Sequence, residues 1–336
     1  MKKFFNKYKY YLGAVVSFAL FYLAVKDIDL DKFLYYFSFE NIDILFYVLF
    51  VNLVLRIIIS LRWNKLVDII PENNFLTTFN FTNIGYFANN FLPARLGDII
   101  KSYLLAKKRN YSKTQVLTSV IIERIFDLMG LSFLFIIAVL RYDIPENILK
   151  GGYIFIGVLI ILTATLLLML NKSEYLDSKL EHLNKYKVIN TIRQKNQSVF
   201  FYIRNYLNIK DLAYLTLTTS LIWFLYVFAG FIIIERLNGS LSWDASMLSL
   251  IFLGVSFILP STPGNVGVHQ FACVLAFAIL GMDKTQAVAF SFYYQIPVIV
   301  ISVILGFFSI YYEGFSVKGI SRVSKEAKSA GLNEVG

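Results

Sequence analysis

Proline and glycine interrupt two strongly apolar stretches of this chain, at Asn89-Asn90-Phe91-Leu92-Pro93-Ala94-Arg95-Leu96-Gly97-Asp98 and at Ile258-Leu259-Pro260-Ser261-Thr262-Pro263-Gly264-Asn265-Val266-Gly267. A helix broken in hydrocarbon would leave backbone N–H and C=O groups unpaired, so such breaks survive only inside protein or beside a water-filled cavity. Each break is followed, at a similar distance, by the same tripeptide opening a long apolar segment: Lys113-Thr114-Gln115 and Lys284-Thr285-Gln286. One supersecondary unit is therefore expected twice. Paired breaks in corresponding halves are the sequence pattern of a transport site.

The chain is 57% hydrophobic and 16% charged, which excludes an ordinary soluble enzyme and indicates a polytopic membrane protein. Its net charge of +10 does not point to nucleic acid, because the basic residues fall in blocks between apolar segments, where they set orientation. A single cysteine, Cys273, excludes an internal disulfide, and two histidines, His182 and His269, without clustered thiols provide no metal set. No cofactor is expected. Gly-x-Ser-x-Gly, His-Glu-x-x-His, Walker and dinucleotide signatures are missing. The basic, then apolar N-terminus has no small-residue cleavage site after the Tyr11–Val25 run, so it is read as a retained first helix.

Apolar runs of about 20 residues, the length that spans a bilayer, are placed near 10–26, 41–64, 114–140, 151–170, 210–235 and 285–312. Segments 75–91 with 94–108, and 244–259 with 268–281, are divided by the breaks and read as hairpins that enter and return. The expected fold is all-α: six full transmembrane helices plus two broken-helix re-entrant hairpins in inverted repeat. It forms a single integral membrane domain over 1–320, with a first repeat of about 41–140, a linker at 171–208, a second repeat of about 210–312 and a tail at 321–336. Lys and Arg collect on the cytoplasmic side, and their blocks put both termini inside, with the first hairpin entering from the cytoplasm and the second from outside. The linker carries Lys172, Lys179, Lys185, Lys187, Arg193, Lys195 and Arg204 on a helical pattern suited to anionic lipid. Connecting the halves is its simpler role. Asp29-Leu30-Asp31-Lys32 with Phe33, Tyr35, Tyr36 and Phe37 reads as an outer interfacial helix of the aromatic belt.

Within span 114–140, Glu123, Arg124 and Asp127 are too expensive to bury unpaired. Glu123 and Asp127 share a helix face, and Arg124 can reach Asp127 three residues on. This is either an ion-paired staple or the lining of a polar path, with carboxylates able to bind a proton or a cationic group. In the first hairpin Arg95, Asp98 and Lys101 follow Pro93 and Gly97, so a helix N-terminus with cations beside it suits a phosphate. Alternatively Asp98 caps the helix and Arg95 neutralises Glu123 or Asp127. Asn83, Asn89 and Asn90 are polar lining or satisfy the broken backbone. The second hairpin supplies Thr262, Gly264, Asn265, Gly267, His269 and Gln270, facing Tyr293, Tyr294, Gln295 and Pro297. His269 is a core hydrogen-bonder or a switch. Arg56 and Arg62 are expected to snorkel to the cytoplasmic interface, with the deeper Arg56 the better participant.

Asn90-Phe91-Leu92-Pro93-Ala94-Arg95-Leu96-Gly97-Asp98 with Lys101, Glu123-Arg124-x-x-Asp127, and Leu259-Pro260-x-Thr262-Pro263-Gly264-x-x-Gly267 together resemble the membrane region of lysylphosphatidylglycerol synthases and related flippase-like proteins. The resemblance spans almost the whole chain. It implies a multi-helix domain in the cytoplasmic membrane that moves or exposes lipid headgroups, with the motif residues near the substrate. It does not imply lysyl transfer, which belongs to an appended soluble domain. The family usually has Glu where Gln270 stands and Arg where Gln295 stands, so an amide pair is expected to replace an ion pair.

The expected function is flippase or scramblase-like translocation of an anionic or polyprenyl-phosphate-linked lipid. A lipid-presenting subunit or intramembrane transferase in phospholipid or envelope glycolipid synthesis is the alternative, and an envelope scaffold is a third reading. Expected partners are membrane lipids, with an envelope glycosyltransferase, an aminoacyltransferase or a second copy of the chain as protein partners, and no nucleic acid.

Overall fold

Several helices in this chain start where a side-chain oxygen meets a free backbone N–H. Both Lys-Thr-Gln tripeptides lie directly behind such a cap: Ser112 accepts from the Gln115 N–H at 3.4 Å, and Asp283 accepts from the Gln286 N–H at 2.9 Å. Each opens a helix of 29 residues, about 43 Å long at 1.5 Å per residue. The repeated tripeptide is thus a helix start used twice. Asn208 and Asp211 form a reciprocal capping box at the head of a third long helix, with the Asn208 side chain accepting from the Lys210 and Asp211 N–H groups.

The computed structural model describes residues 2–91, 96–142, 208–237, 242–256 and 262–317, with isolated positions at 146, 150, 152, 153, 157 and 319. These residues form α1 (Lys2–Val25), α2 (Leu30–Tyr36), α3 (Asp43–Leu66), α4 (Phe75–Phe91), α5 (Gly97–Lys108), α6 (Lys113–Arg141), α7 (Ile209–Arg236), α8 (Ser242–Ser256), α9 (Val268–Ile279) and α10 (Lys284–Tyr312). No strand occurs among them. The helices therefore lie where the apolar runs and breaks place them. The segment 151–170, the linker 171–208 and the tail 321–336 fall outside the described residues, as do Leu92 to Arg95 and 257–261.

Among the described residues, three helical stretches are long and apolar enough to cross a membrane: Phe39–Leu66, which includes α3, then α7 and α10. The 29-residue α6 matches them in length, but Glu123, Arg124 and Asp127 interrupt its apolar run. Helix α3 shows how these helices divide their surface. Ile44, Val48, Val51, Leu55 and Ile59 recur every three or four residues and are buried, whereas Phe46 and Phe50 are exposed. In a membrane protein those outward aromatics face lipid.

Packing partners in the first half have counterparts in the second. Helix α4 packs on α3 and α5, as α8 packs on α7 and α9; α5 meets α6 as α9 meets α10; and α4 lies against α10 while α8 lies against α6. Helices α3 and α7 touch each other at the centre. Two apolar clusters result. One joins α3, the second half of α6, α7, α8, α9 and α10 with Tyr36 of α2, and the other joins the end of α3 with α4, α5 and the first half of α6, together with Leu215 of α7 and Ile310 of α10.

Helix α2 departs from a plain belt element, because it packs on α10. Phe37 stacks on Tyr293 with centroids 4.7 Å apart, and the Tyr293 hydroxyl donates to the Tyr36 carbonyl at 2.8 Å. Those aromatics fix one helix to another.

Candidate functional site

Two glycines let the broken segments fold back tightly. A Cβ on Gly97 would lie 2.0 Å from the Gly85 carbonyl oxygen, so only glycine allows α5 to start against α4. Gly267 has φ +89°, and a Cβ there would lie 2.0 Å from the Ser17 carbonyl oxygen of α1. Both helices then begin with N–H groups that need acceptors. The Gly97 N–H donates to Asn89 Oδ1 at 2.8 Å, and the Gly267 N–H donates to Gln270 Oε1 at 2.7 Å. Asn89 is thus a satisfier of broken backbone.

Beyond that shared solution the halves differ. Below the start of α5, six charged side chains converge from α3, α5 and α6. Glu123, 1% exposed, accepts from Lys101 Nζ at 2.6 Å and from Arg62 Nη2 at 3.3 Å. Asp127 accepts from the same Arg62 nitrogen at 2.7 Å and from Arg124 at 2.9 Å. Arg124 also donates to Asp98 at 2.8 Å, and Asp98 lies 3.9 Å from Lys101. Arg62, Lys101 and Arg124 are three cations; Asp98, Glu123 and Asp127 are three anions. The network is formally neutral.

Its surroundings hold it in place. The Trp63 ring lies 4.3 Å from Lys101 Nζ, and its indole N–H donates to Ser119 of α6 at 3.0 Å. Arg62 Nη1 donates to Thr219 of α7 at 2.9 Å, which ties the network to the second half. One edge is closed and the other open: the Arg62, Lys101 and Glu123 side chains are at most 3% exposed, whereas Arg124 is 45% exposed. Arg124 stands eleven residues into α6, about 16 Å along the helix. An exposed guanidinium at that depth needs water or a polar ligand rather than hydrocarbon.

Around its turn the second hairpin has no Lys, Arg, Asp or Glu among its described residues; its acid Asp244, at the far end of α8, pairs with Arg141 of α6 at 3.1 Å. Thr262, Gly264 and Asn265 form its turn, with Gly264 at φ +74° and Asn265 at φ +55°, and the turn segment Pro263–Asn265 packs on α4. The amide pair inferred from sequence is present. Gln270 Nε2 donates to Gln295 Oε1 at 2.7 Å, and Gln295 Nε2 donates to the Gly264 carbonyl at 2.6 Å. His269 is buried, with its ring centroid 6.1 Å from that of Tyr294. Tyr293 points to α2, and the Tyr294 hydroxyl donates to the Tyr226 carbonyl of α7. Neither tyrosine bonds to the hairpin turn in the manner of Gln295.

The structure corrects one expectation. Arg56 and Arg62 do not snorkel: they are 3% and 1% exposed. Arg62 takes the neutralising position that sequence reasoning offered to Arg95. Pro93 and Arg95 lie outside the described residues, and Asn90 is the penultimate residue of α4, next to Phe91. Arg62 was missed because depth along a helix says nothing about the face. The available signal was its spacing from Ile59 and Leu55 on the buried stripe of α3.

Similarity to known proteins agrees with this architecture. The family described as the lysylphosphatidylglycerol synthase transmembrane region matches residues 10–306. The UPF0104 membrane protein MJ1078 of Methanocaldococcus jannaschii is 30% identical over 218 residues, covering 62% of this chain and 87% of that protein. A second UPF0104 membrane protein of the same organism, MJ1595, is 21% identical over 312 residues, covering 87% of this chain and 91% of that protein. No solved structure matches the chain.

Proposed function

The chain belongs to the lysylphosphatidylglycerol synthase transmembrane region family, and from that premise we propose that it translocates an anionic phospholipid or a polyprenyl-phosphate-linked lipid across the cytoplasmic membrane, as a flippase or scramblase. The observation that carries this reading is the neutral six-charge network with one open edge. Burying a single Arg, Lys or Asp at mid-bilayer costs about 2.5–3.5 kcal/mol. Six such groups packed together within the helical bundle, with Arg124 left exposed, support a polar route through it.

The route divides into distinct roles. Arg124 is the guanidinium that a headgroup phosphate reaches first, in competition with Asp98 and Asp127, and its two-pronged donor geometry suits phosphate. Displaced carboxylates keep Arg62 and Lys101 as partners, so the cost of engaging an anion at the edge is shared. By their place in the sequence directly before α5, Pro93 and Arg95 are assigned with Gly97 to the same approach. The second hairpin is the neutral side of the gate: Gly264, Gly267, Gln270 and Gln295 lock its turn with amides. The matched packing of α3–α6 and α7–α10 supports an inverted repeat, in which the hairpins enter from opposite faces and both termini are cytoplasmic. Six full crossings with two re-entrant hairpins complete this reading.

Reconstitution tests it. Vesicles containing the protein and inner-leaflet fluorescent phosphatidylglycerol are treated with a membrane-impermeant quencher, beside protein-free vesicles. The protein is expected to expose the inner label, and Arg95→Ala is expected to abolish that exposure while leaving the protein folded. Equal accessibility with and without protein overturns the proposal.

A further inference from the structure

Among the described residues, three Lys or Arg side chains are buried: Arg56, Arg62 and Lys101. The last two are neutralised within the network. Arg56 pairs with no carboxylate among the described residues. Its Nη2 donates to the Ser302 hydroxyl of α10 at 2.5 Å, and its Cζ lies 3.3 Å from the centroid of the Tyr86 ring on α4. Its Nη1 is sealed from solvent and has no hydrogen-bond acceptor. A hydroxyl and a ring face stabilise a cation by modest amounts, but neither cancels its charge. A buried, uncompensated guanidinium with a spare donor lacks an anion.

Its position says which kind. Along α10, Gln295 bonds the second hairpin turn, Ile299 is the neighbour that a Cβ on Gly264 would meet, Ser302 receives Arg56, and Gly306 packs on Phe87 of α4. Arg56 therefore lies between the two breaks. Tyr86, five residues before the end of α4, covers Arg56 with its ring, and its neighbour Gly85 lies against Gly97 and Lys101 of α5, where a Cβ would come within 3.0 and 3.3 Å of them. Adjacent residues of α4 thus face the charged network and the inner cation.

We propose that Arg56 is an inner binding site for a phosphate-type oxyanion, reached from Arg124 past Tyr86. This rests on the translocation reading above for its lipid source, although the site itself does not. A phosphate oxygen supplies the acceptor that Nη1 lacks and the charge that Arg56 needs. The ring of Tyr86 and the hydroxyl of Ser302 then fix the guanidinium plane for a bidentate contact. Access requires α4 and α10 to separate locally.

The test compares wild type, Arg56→Gln and Arg56→Lys in detergent, by native mass spectrometry with phosphatidylglycerol and phosphatidylcholine as probes and inorganic phosphate as competitor. Translocation is read in parallel in vesicles. Wild type is expected to retain phosphatidylglycerol over phosphatidylcholine. Arg56→Gln is expected to lose that preference about tenfold, a difference of about 1.4 kcal/mol, and Arg56→Lys to recover part of it. Competition by inorganic phosphate assigns the site to aqueous oxyanions as well as headgroups; no competition assigns it to lipid. An unchanged preference in folded Arg56→Gln overturns the site even if translocation persists. Should that variant fail to fold, an unchanged preference in Tyr86→Ala and Arg56→Lys overturns it. Arg56-dependent binding without any translocation by wild type upholds the site and removes the transport reading instead.

Discussion

Where α5 begins, the Gly97 N–H is taken by Asn89 of the preceding helix, and the next turns carry Asp98 and Lys101 into a six-charge network. Where α9 begins, the Gly267 N–H is taken by Gln270 of the same helix, and the partners around it are amides and carbonyls. Both breaks are held by one amide oxygen on one glycine N–H. The second shows that a broken helix in this protein needs no ions for its backbone. The charges of the first half are therefore not explained by the break, and the proposed headgroup path would account for them.

The largest expected effect comes from cutting the charged half at its hub. Glu123→Ala leaves Lys101 and Arg62 short of an anion, and unfolding in detergent should show a loss of about 3–5 kcal/mol. Combining Glu123→Gln with Lys101→Met should recover part of it. Equal stability of Glu123→Ala and wild type would break the comparison at its charged end.

The neutral half offers an intermediate test. Gln270→Glu alone, or Gln295→Arg alone, buries a charge without its partner and should cost about 1–3 kcal/mol. Together they build the ion pair that the family resemblance leads one to expect here, and a double-mutant cycle should show favourable coupling. Additive losses would mean that the two side chains do not act as a pair.

The smallest effect concerns what the halves share. Ser112→Ala and Asp283→Ala remove matching caps from α6 and α10, and each should cost about 1 kcal/mol in thermal unfolding. Asp283 also pairs with Lys32 at 3.3 Å, but both side chains are well exposed, so that bridge adds little. Markedly unequal losses would argue against one unit used twice.

Much of this organisation was legible in the chain. The Pro/Gly breaks and apolar runs locate the helices, because backbone satisfaction and bilayer length are strong constraints that single residues express. Arg124 reaching Asp127, and Gln270 meeting Gln295, were readable from helical spacing and from the family pattern. Arg62 and Arg56 were not. Both sit on the same inward stripe as Leu55 and Ile59, but their burial depends on α6, α7 and α10 closing over α3, which are contacts across long sequence distances. Likewise nothing local to Trp63 announces that its ring lies under Lys101.

The most direct measurement is the ratio of phosphatidylglycerol to phosphatidylcholine translocation in vesicles for Arg124→Gln and Gln295→Ala. The account predicts that Arg124→Gln abolishes the preference for the anionic lipid, while Gln295→Ala alters speed but keeps the ratio. A preserved ratio in Arg124→Gln, with a lost one in Gln295→Ala, would contradict the assignment of headgroup recognition to the charged half.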